Sequence, residues 1–278
     1  MTLLFDPVPH KYFIKEDPTL SLKSVSHLIS LLKPKFDPDG SILKKYVSKG
    51  KSYILKDLAI KWELTEEEAQ AKWGHLSFTE EEVAKIWKEK KDTSLVKGTK
   101  LHQIKEDLLL SKGGHPSLQD PETSFKRAYD LHDLKPGLYP ELMLHYLPAL
   151  LTGTADIVRI NPDKTFQIDD FKTNKSIDFE SFQAYDKNTR SKKPKMMNPP
   201  ISHLQDCNGI HYTIQLSLYA YFLEQFGYTC KSLTLIHLIT DKEHNIIQEV
   251  KYPIEYIKKD IKKILFWYTN SPAFKDLE

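Results

Sequence analysis

Two consecutive strand-like segments each carry an aspartate where the pattern calls for an apolar or small residue: LTGTADIVRI, Leu151–Ile160, and TFQIDDFKT, residues 165–173. Side chains alternate across a strand, so Asp170 and Lys172 share one face while Asp169 and Phe171 share the other. In the preceding segment Asp156 interrupts an apolar run next to Gly153 and Ala155. An unpaired buried carboxylate is strongly disfavoured, and a divalent cation shared with Asp170 would supply the partner that Asp156 needs. Taken alone, an Asp-x-Lys triplet also arises as an ordinary structural ion pair.

The surrounding pattern sets those strands in an α/β chain. LYPELMLHYL, which carries Glu141, precedes them, and the short joints PALLTG and NPDK predict that the three strands form a meander. An irregular Lys- and Pro-rich stretch at 178–208 follows. Next come an apolar helix (IHYTIQLSLYAYFLEQF), the strands SLTLIHLIT and NIIQEVKY, and a closing helix expected to begin at Pro253. Helix, three strands, helix, strand is the order of a sheet covered by helices.

Upstream, HKYFI and LSLKSV flank a turn at EDPT and read as a hairpin, with Ser24 or Ser26 available to cap the helical run HLISLLK. Residues 41–97 are helical in pattern. LTEEEAQAKW and FTEEEVAKIW each set a threonine three residues before a glutamate, the capping-box signature, and each then reaches a tryptophan expected to pack inward. A further helix, GTKLHQIKEDLLLS, is expected to start at Gly98 and end at Gly113-Gly114, with another helical stretch before the meander. The expected division is a hairpin and helical lobe at 1–97 and an α/β core at 98–278.

Net charge is +2, with 40 basic against 38 acidic residues, so global charge favours no class of partner strongly. The local distribution is more informative: KNTRSKKPK, holding Lys192, Lys193 and Lys195, lies between the Asp-x-Lys strand and the apolar helix and can either touch phosphate or be a solvated loop. No apolar run approaches the ~20 residues that a membrane-crossing helix needs. Two cysteines and no signal-like start point to a reducing, intracellular location. His203, Cys207 and His211 do not make a zinc site if helical, because the outer pair would stand about 12 Å apart along the axis.

GTADIV followed by IDDFKT resembles the D…(D/E)xK signature of the PD-(D/E)XK nuclease superfamily. LHQIKE upstream and QLSLY downstream resemble the helix histidine and QxxxY motif of its RecB-like branch, which includes the mitochondrial single-strand exonuclease and CRISPR-associated nucleases. The match spans Gly98 to about Thr240. The resemblance implies a restriction-endonuclease-like core, a mixed sheet flanked by helices, in which Asp156, Asp170 and Lys172 are catalytic. It further implies that His102, Asp156 and Asp170, with Glu141 as an additional candidate, hold Mg2+ or Mn2+, and that Gln215, Tyr219 and Thr173 support the site or hold DNA. Read alone, His102 with Glu106 is an ordinary helix-surface pair, Tyr219 is core, and Glu141 is a solvated strand-edge acid.

By the same resemblance the chain is expected to be a DNA exonuclease acting on single-stranded ends in replication, recombination or repair, in a bacterial or phage-infected cytoplasm. A helicase, single-strand-binding or recombination protein is the expected partner. An endonuclease or junction resolvase on the same fold, and a catalytically silent DNA-binding subunit, are the alternatives. The phosphate-binding GxxxxGK[ST] motif is absent, so ATP-driven unwinding would come from another chain. Two cysteines also cannot ligate a four-cysteine iron-sulfur cluster.

Overall fold

Three short strands open the chain: β1 (Leu3–Asp6), β2 (Lys11–Ile14) and β3 (Asp17–Ser24), followed by α1 (Val25–Leu32). The computed structural model describes residues 2–9, 11–36, 40–186, 191–241 and 245–275. Antiparallel pairing of β2 with β3 gives the expected hairpin, and β1 adds a third strand to it. Ser24 caps α1, its hydroxyl accepting the His27 amide at 3.1 Å.

Helices α2 (Ser41–Val47), α3 (Lys51–Trp62), α4 (Glu66–Trp73) and α5 (Glu80–Ser111) come next. Both capping boxes form: Thr65 and Glu68 exchange hydrogen bonds, as do Thr79 and Glu82. Trp73 is buried among Ile54, Leu58, Ala69 and Phe78, with Trp87 packed alongside. The helix expected to begin at Gly98 is instead the second part of α5, which runs through Gly98. A helix-interior glycine costs only about 1 kcal/mol, too little to force a break in so long a helix.

Then follow β4 (Leu118–Gln119), β5 (Lys126–Arg127), β6 (Gly137–Tyr146), a 3-10 turn at Leu147–Ala149, β7 (Leu151–Ile160) and β8 (Thr165–Lys172). The helix expected before the meander is absent. Asp120 turns the chain there, its Oδ1 accepting the amides of Glu122 and Thr123 and the Thr123 hydroxyl, while Lys15 pairs with its other oxygen at 2.8 Å. The remaining elements are the ribbon β9 (Gln183–Asp186) and β10 (Ser191–Pro194), then α6 (Asn208–Glu224), β11 (Thr229–Thr240), β12 (Ile246–Ile254), α7 (Lys258–Thr269) and α8 (Pro272–Lys275). Pro253 lies within β12 and does not start α7; β12 ends the sheet, and an edge strand tolerates the missing N–H.

Among the described residues the protein is an α/β chain of eight α-helices and an open mixed sheet of ten strands, with α1–α5 forming an N-terminal helical stretch. The strand order is β12-β11-β8-β7-β3-β2-β1-β5-β4, and β6 lies against β7. The meander β6-β7-β8 is antiparallel throughout, whereas β11 runs parallel to β8 and β3 parallel to β7.

The chain forms two compact units, Met1–Pro34 with His102–Ile239 and Ile247–Glu278, and Lys35–Leu101 with Thr240–Ile246. Residues 1–34 thus go with the sheet, through the β3–β7 pairing, and not with the helices of 41–97. In the sheet unit the main core lies between β6–β8, α1, α6 and α7, and a smaller one gathers Leu3, Tyr12, Ile14 and Leu22 around Met143. No helix among the described residues is long and apolar enough to cross a membrane.

Candidate metal centre

Strand β7 positions the acidic groups. One of its edges pairs with β6 along its whole length, while the other is divided between β3, at Leu151 and Thr152, and β8, from Ile157 to Ile160. Asp156 falls where the β8 ladder stops. Beyond the last pair, Ile157 with Asp169, the Phe171 amide donates to Asp156 Oδ2 at 2.7 Å in place of a backbone carbonyl. Continuing the register sets Asp156 opposite Asp170.

Glu141 lies across from Asp156 on the β6 side. The ladder keeps register from Pro140–Ile157 to Leu142–Ala155 but skips Glu141, whose φ is 51°. A left-handed non-glycine residue costs on the order of 1–3 kcal/mol, and such strain concentrates at functional sites. His102 on α5 brings Nδ1 within 3.4 Å of Asp156 Oδ2, its ring edge-on to Phe171. One ligand atom from each of His102, Glu141 and Asp156 lies within 4.8 Å of the other two, the one such group among the described residues. Glu141 is half-buried inside this group, contrary to the reading of a solvated edge acid.

Electrostatics at the cluster favour uptake of positive charge. Burial and the neighbouring Asp156 push the Glu141 carboxyl up to about 8. Burial alone would depress the His102 imidazole, but its hydrogen bond to Asp156 and the charges of Asp156 and Asp170 outweigh burial and leave it raised. No ion pair to Glu141 occurs among the described residues, and the charges of His102 and Lys126 offset its burial only in part. One imidazole and two carboxylates make a candidate metal site whose donors suit a hard or borderline divalent cation.

Asp170 is not among the clustered donors. It is 1% exposed and its Oδ2 is ion-paired with Lys172. Burial and Asp156 raise the Asp170 carboxyl despite Lys172, and the two aspartates hold the Lys172 ammonium above its usual range despite burial. As the alternation predicts, Asp169 is less buried than Asp170.

Gln215 and Tyr219 meet this pair from α6. Lys172 Nζ donates to Gln215 Oε1 at 3.3 Å, and Gln215 Nε2 donates to the Tyr219 hydroxyl at 3.2 Å. Tyr219 lies directly against Gly153, where an added Cβ would come within 2.7 Å of the tyrosine ring. Tyr212 places its ring 4.6 Å from Lys172 Nζ and donates its hydroxyl to Asn174. Tyr212 was missed by sequence reasoning, although it sits one helical turn before Gln215 and its side of α6 was readable from spacing. Thr173 is half-buried just past Lys172.

Residues 187–190 of the basic stretch lie outside the described residues. Lys192 and Lys193 are exposed on β10, whereas Lys195 pairs with Asp206 at 2.9 Å and so anchors the chain locally. His211 joins the same carboxylate at 2.8 Å and His203 pairs with Asp260, so His203, Cys207 and His211 do not converge. No protein-family model, curated protein or solved structure matches this chain.

Proposed function

We propose that the chain is a metal-dependent deoxyribonuclease of the RecB-like PD-(D/E)XK type. The observation that carries the reading is the convergence of six motif residues in one unit: His102 and Asp156 at the acidic cluster, and Asp170, Lys172, Gln215 and Tyr219 in a connected chain beside it. A structural ion pair would need only two of them.

Hydrolysis of a phosphodiester joins a water oxygen to phosphorus and breaks a P–O bond, whose departing oxygen takes a proton. In this reading His102, Glu141 and Asp156 hold Mg2+ or Mn2+, which would supply charge to the phosphate and make water more acidic. Lys172 orients the attacking water and adds a fixed positive charge at the phosphate. Asp170 keeps Lys172 protonated and in place, and Gln215, held by Tyr219, limits the positions open to the ammonium. Imidazole in the donor set favours Mn2+ over Mg2+.

Preference for single-stranded ends rests on the resemblance to the end-processing branch, supported by exposed Phe182, just before the ribbon that carries Lys192 and Lys193, and exposed Tyr185 on it. Aromatic faces and lysines side by side suit a flexible strand, whose bases stack while its phosphates pair. The test is digestion of end-labelled linear and closed circular DNA, single- and double-stranded, with Mn2+, Mg2+ or EDTA. Loss of linear single strands with either metal, sparing of circles and silence in EDTA are expected. Rapid cutting of circles would establish an endonuclease instead. Binding without hydrolysis under every condition would overturn the proposal in favour of a silent DNA-binding subunit.

A further inference from the structure

The sheet unit has a second concave feature, distinct from the acidic cluster. A half-open cavity of about 750 Å³ is formed by β1, the segment from β5 to His132, the end of β6 and the end of α6. That volume falls within the ~300–1,000 Å³ typical of small-molecule sites. Its walls combine one guanidinium, two imidazoles and three aromatic rings: Arg127, His132, His145, Tyr129, Tyr146 and Phe226.

Several of these groups lack the partners that a purely structural role would provide. Arg127 forms no ion pair among the described residues, and its Nε is buried without a hydrogen bond. His145 Nδ1 is likewise buried and unpartnered. Buried polar groups are normally satisfied; these two atoms are closed to solvent, so what each residue offers a ligand is the part of its side chain that lines the cavity. Burial, reinforced by the charge of His132, pushes the His145 imidazole down to about 4, so near neutrality it is uncharged and only Nε2 can meet a ligand. The acid in the wall, Asp130, is engaged in its own turn, accepting the His132 amide at 3.0 Å.

Aromatic groups make up much of the cavity lining. Phe226 contacts His132 and His145 edge-on, at 4.9 and 5.4 Å between ring centres. Tyr146 stacks on Phe222 beneath it. The Tyr129 hydroxyl is spent on the Pro116 carbonyl, and its ring, edge-on to Tyr139, lines the cavity. An unpaired guanidinium selects a phosphate or carboxylate, aromatic walls select a planar ring, and a neutral imidazole can pair with ring nitrogens or exocyclic groups. A heteroaromatic ring carrying a phosphate meets all three requirements.

We propose that this cavity binds a nucleoside monophosphate group, with its phosphate on Arg127 and its base among the aromatic walls. The site needs neither metal nor cleavage and does not depend on the nuclease reading. His145 and Glu141 are four residues apart on β6, roughly 13 Å at strand rise, so the nucleotide can be either free or the end of a strand reaching the acidic cluster.

The experiment titrates the full chain with deoxyadenosine 5′-monophosphate in EDTA, by calorimetry and by NMR of the histidine rings. Submillimolar binding is expected, with deoxyadenosine and inorganic phosphate each at least tenfold weaker and with the His132 and His145 signals shifting. Arg127→Ala should weaken binding tenfold or more, and Arg127→Lys less. Should Arg127→Ala fail to fold, Arg127→Lys, His132→Ala and the ring signals of the unaltered protein decide. A 5′-phosphorylated oligonucleotide binding more tightly than the mononucleotide supports a strand end as the source; equal or weaker affinity supports the free nucleotide. No binding at millimolar mononucleotide, phosphate binding as well as the nucleotide, or affinity unchanged in both Arg127→Lys and His132→Ala would overturn the proposal. Because EDTA removes cleavage from the measurement, failure here leaves the metal-dependent reading untouched, and the reverse holds too.

Discussion

Two clusters of buried charge flank the end of the β7–β8 ladder, and they are balanced in opposite ways. At Asp170 the carboxylate has its cation built in, since Lys172 is covalently fixed two residues away and braced from α6 by Gln215. At Glu141 and Asp156 two carboxyl groups face each other across β6 and β7 with a titratable imidazole beside them and no ion pair to Glu141 among the described residues. The first cluster is complete as folded; the second is poised to gain a cation. A residue removed from the first leaves a charge stranded, whereas replacing Glu141 in the second spares the chain the cost of protonating it on folding. Stability and activity should therefore change together at one cluster and in opposition at the other.

The largest effects belong to the complete cluster. Lys172→Ala should lower cleavage by about a thousandfold or more, on the scale of losing a preorganised charge. It should also destabilise the fold by roughly 3–5 kcal/mol, because Asp170 remains buried and unpaired. Urea denaturation alongside a nuclease assay measures both. Full activity in purified Lys172→Ala or Asp170→Ala would remove the catalytic reading.

Glu141→Gln tests the other half of the comparison. It should stabilise the metal-free protein by on the order of 1–3 kcal/mol at neutral pH, because folding no longer has to protonate a glutamate that is ionised in the unfolded chain, while weakening Mn2+ binding tenfold or more in calorimetry. Loss of both stability and metal affinity would mean that Glu141 is a structural acid and the cluster is balanced after all.

The pH dependence has a definite sign. Glu141 is raised from its ordinary value to about 8, so its protonated form is favoured by folding. That contribution is complete below the ordinary carboxylate range and is lost as pH rises towards 8. In the proposed reading Mn2+ would compete with the same protons, so metal affinity should climb over the window in which metal-free stability falls. The rise in melting temperature on adding Mn2+ should be small at pH 5.5 and grow to pH 8, and Glu141→Gln should flatten it. A shift independent of pH would place the ion elsewhere.

The same contrast separates what was legible in the sequence from what was not. Asp170 and Lys172 are two residues apart on one strand, so alternation alone sets them on one face. The meander and α6 were equally accessible, because period and turn residues are local signals. The geometry that brings Glu141 into the cluster was not legible, although the resemblance named the residue as an additional ligand candidate: its backbone turns left-handed within an otherwise regular strand, which no pattern of residue types predicts. Nor was the parallel β3–β7 pairing, which joins residues far apart in sequence and moves the N-terminal hairpin into the sheet unit. Gly98 and Pro253 misled because both residues interrupt patterns without ending elements, the first inside a long helix and the second on an edge strand.

The smallest expected effect tests how far the bracing of Lys172 reaches. Tyr219 is fully buried and serves Gln215 through its hydroxyl alone, while its ring fills the space above Gly153. Tyr219→Phe keeps that packing and removes one neutral hydrogen bond, about 1 kcal/mol, so activity should fall roughly fivefold with little change in melting temperature. Gly153→Ala does the converse: the new methyl group meets the ring, the tyrosine must move, and Gln215 loses its support even though every polar group remains. If Tyr219 acts by positioning Gln215, Gly153→Ala should lower activity at least as far as Tyr219→Phe, and combining the two should cost less than the sum of the separate changes. Additive losses would mean that Tyr219 contributes packing only and that Gln215 holds Lys172 without it.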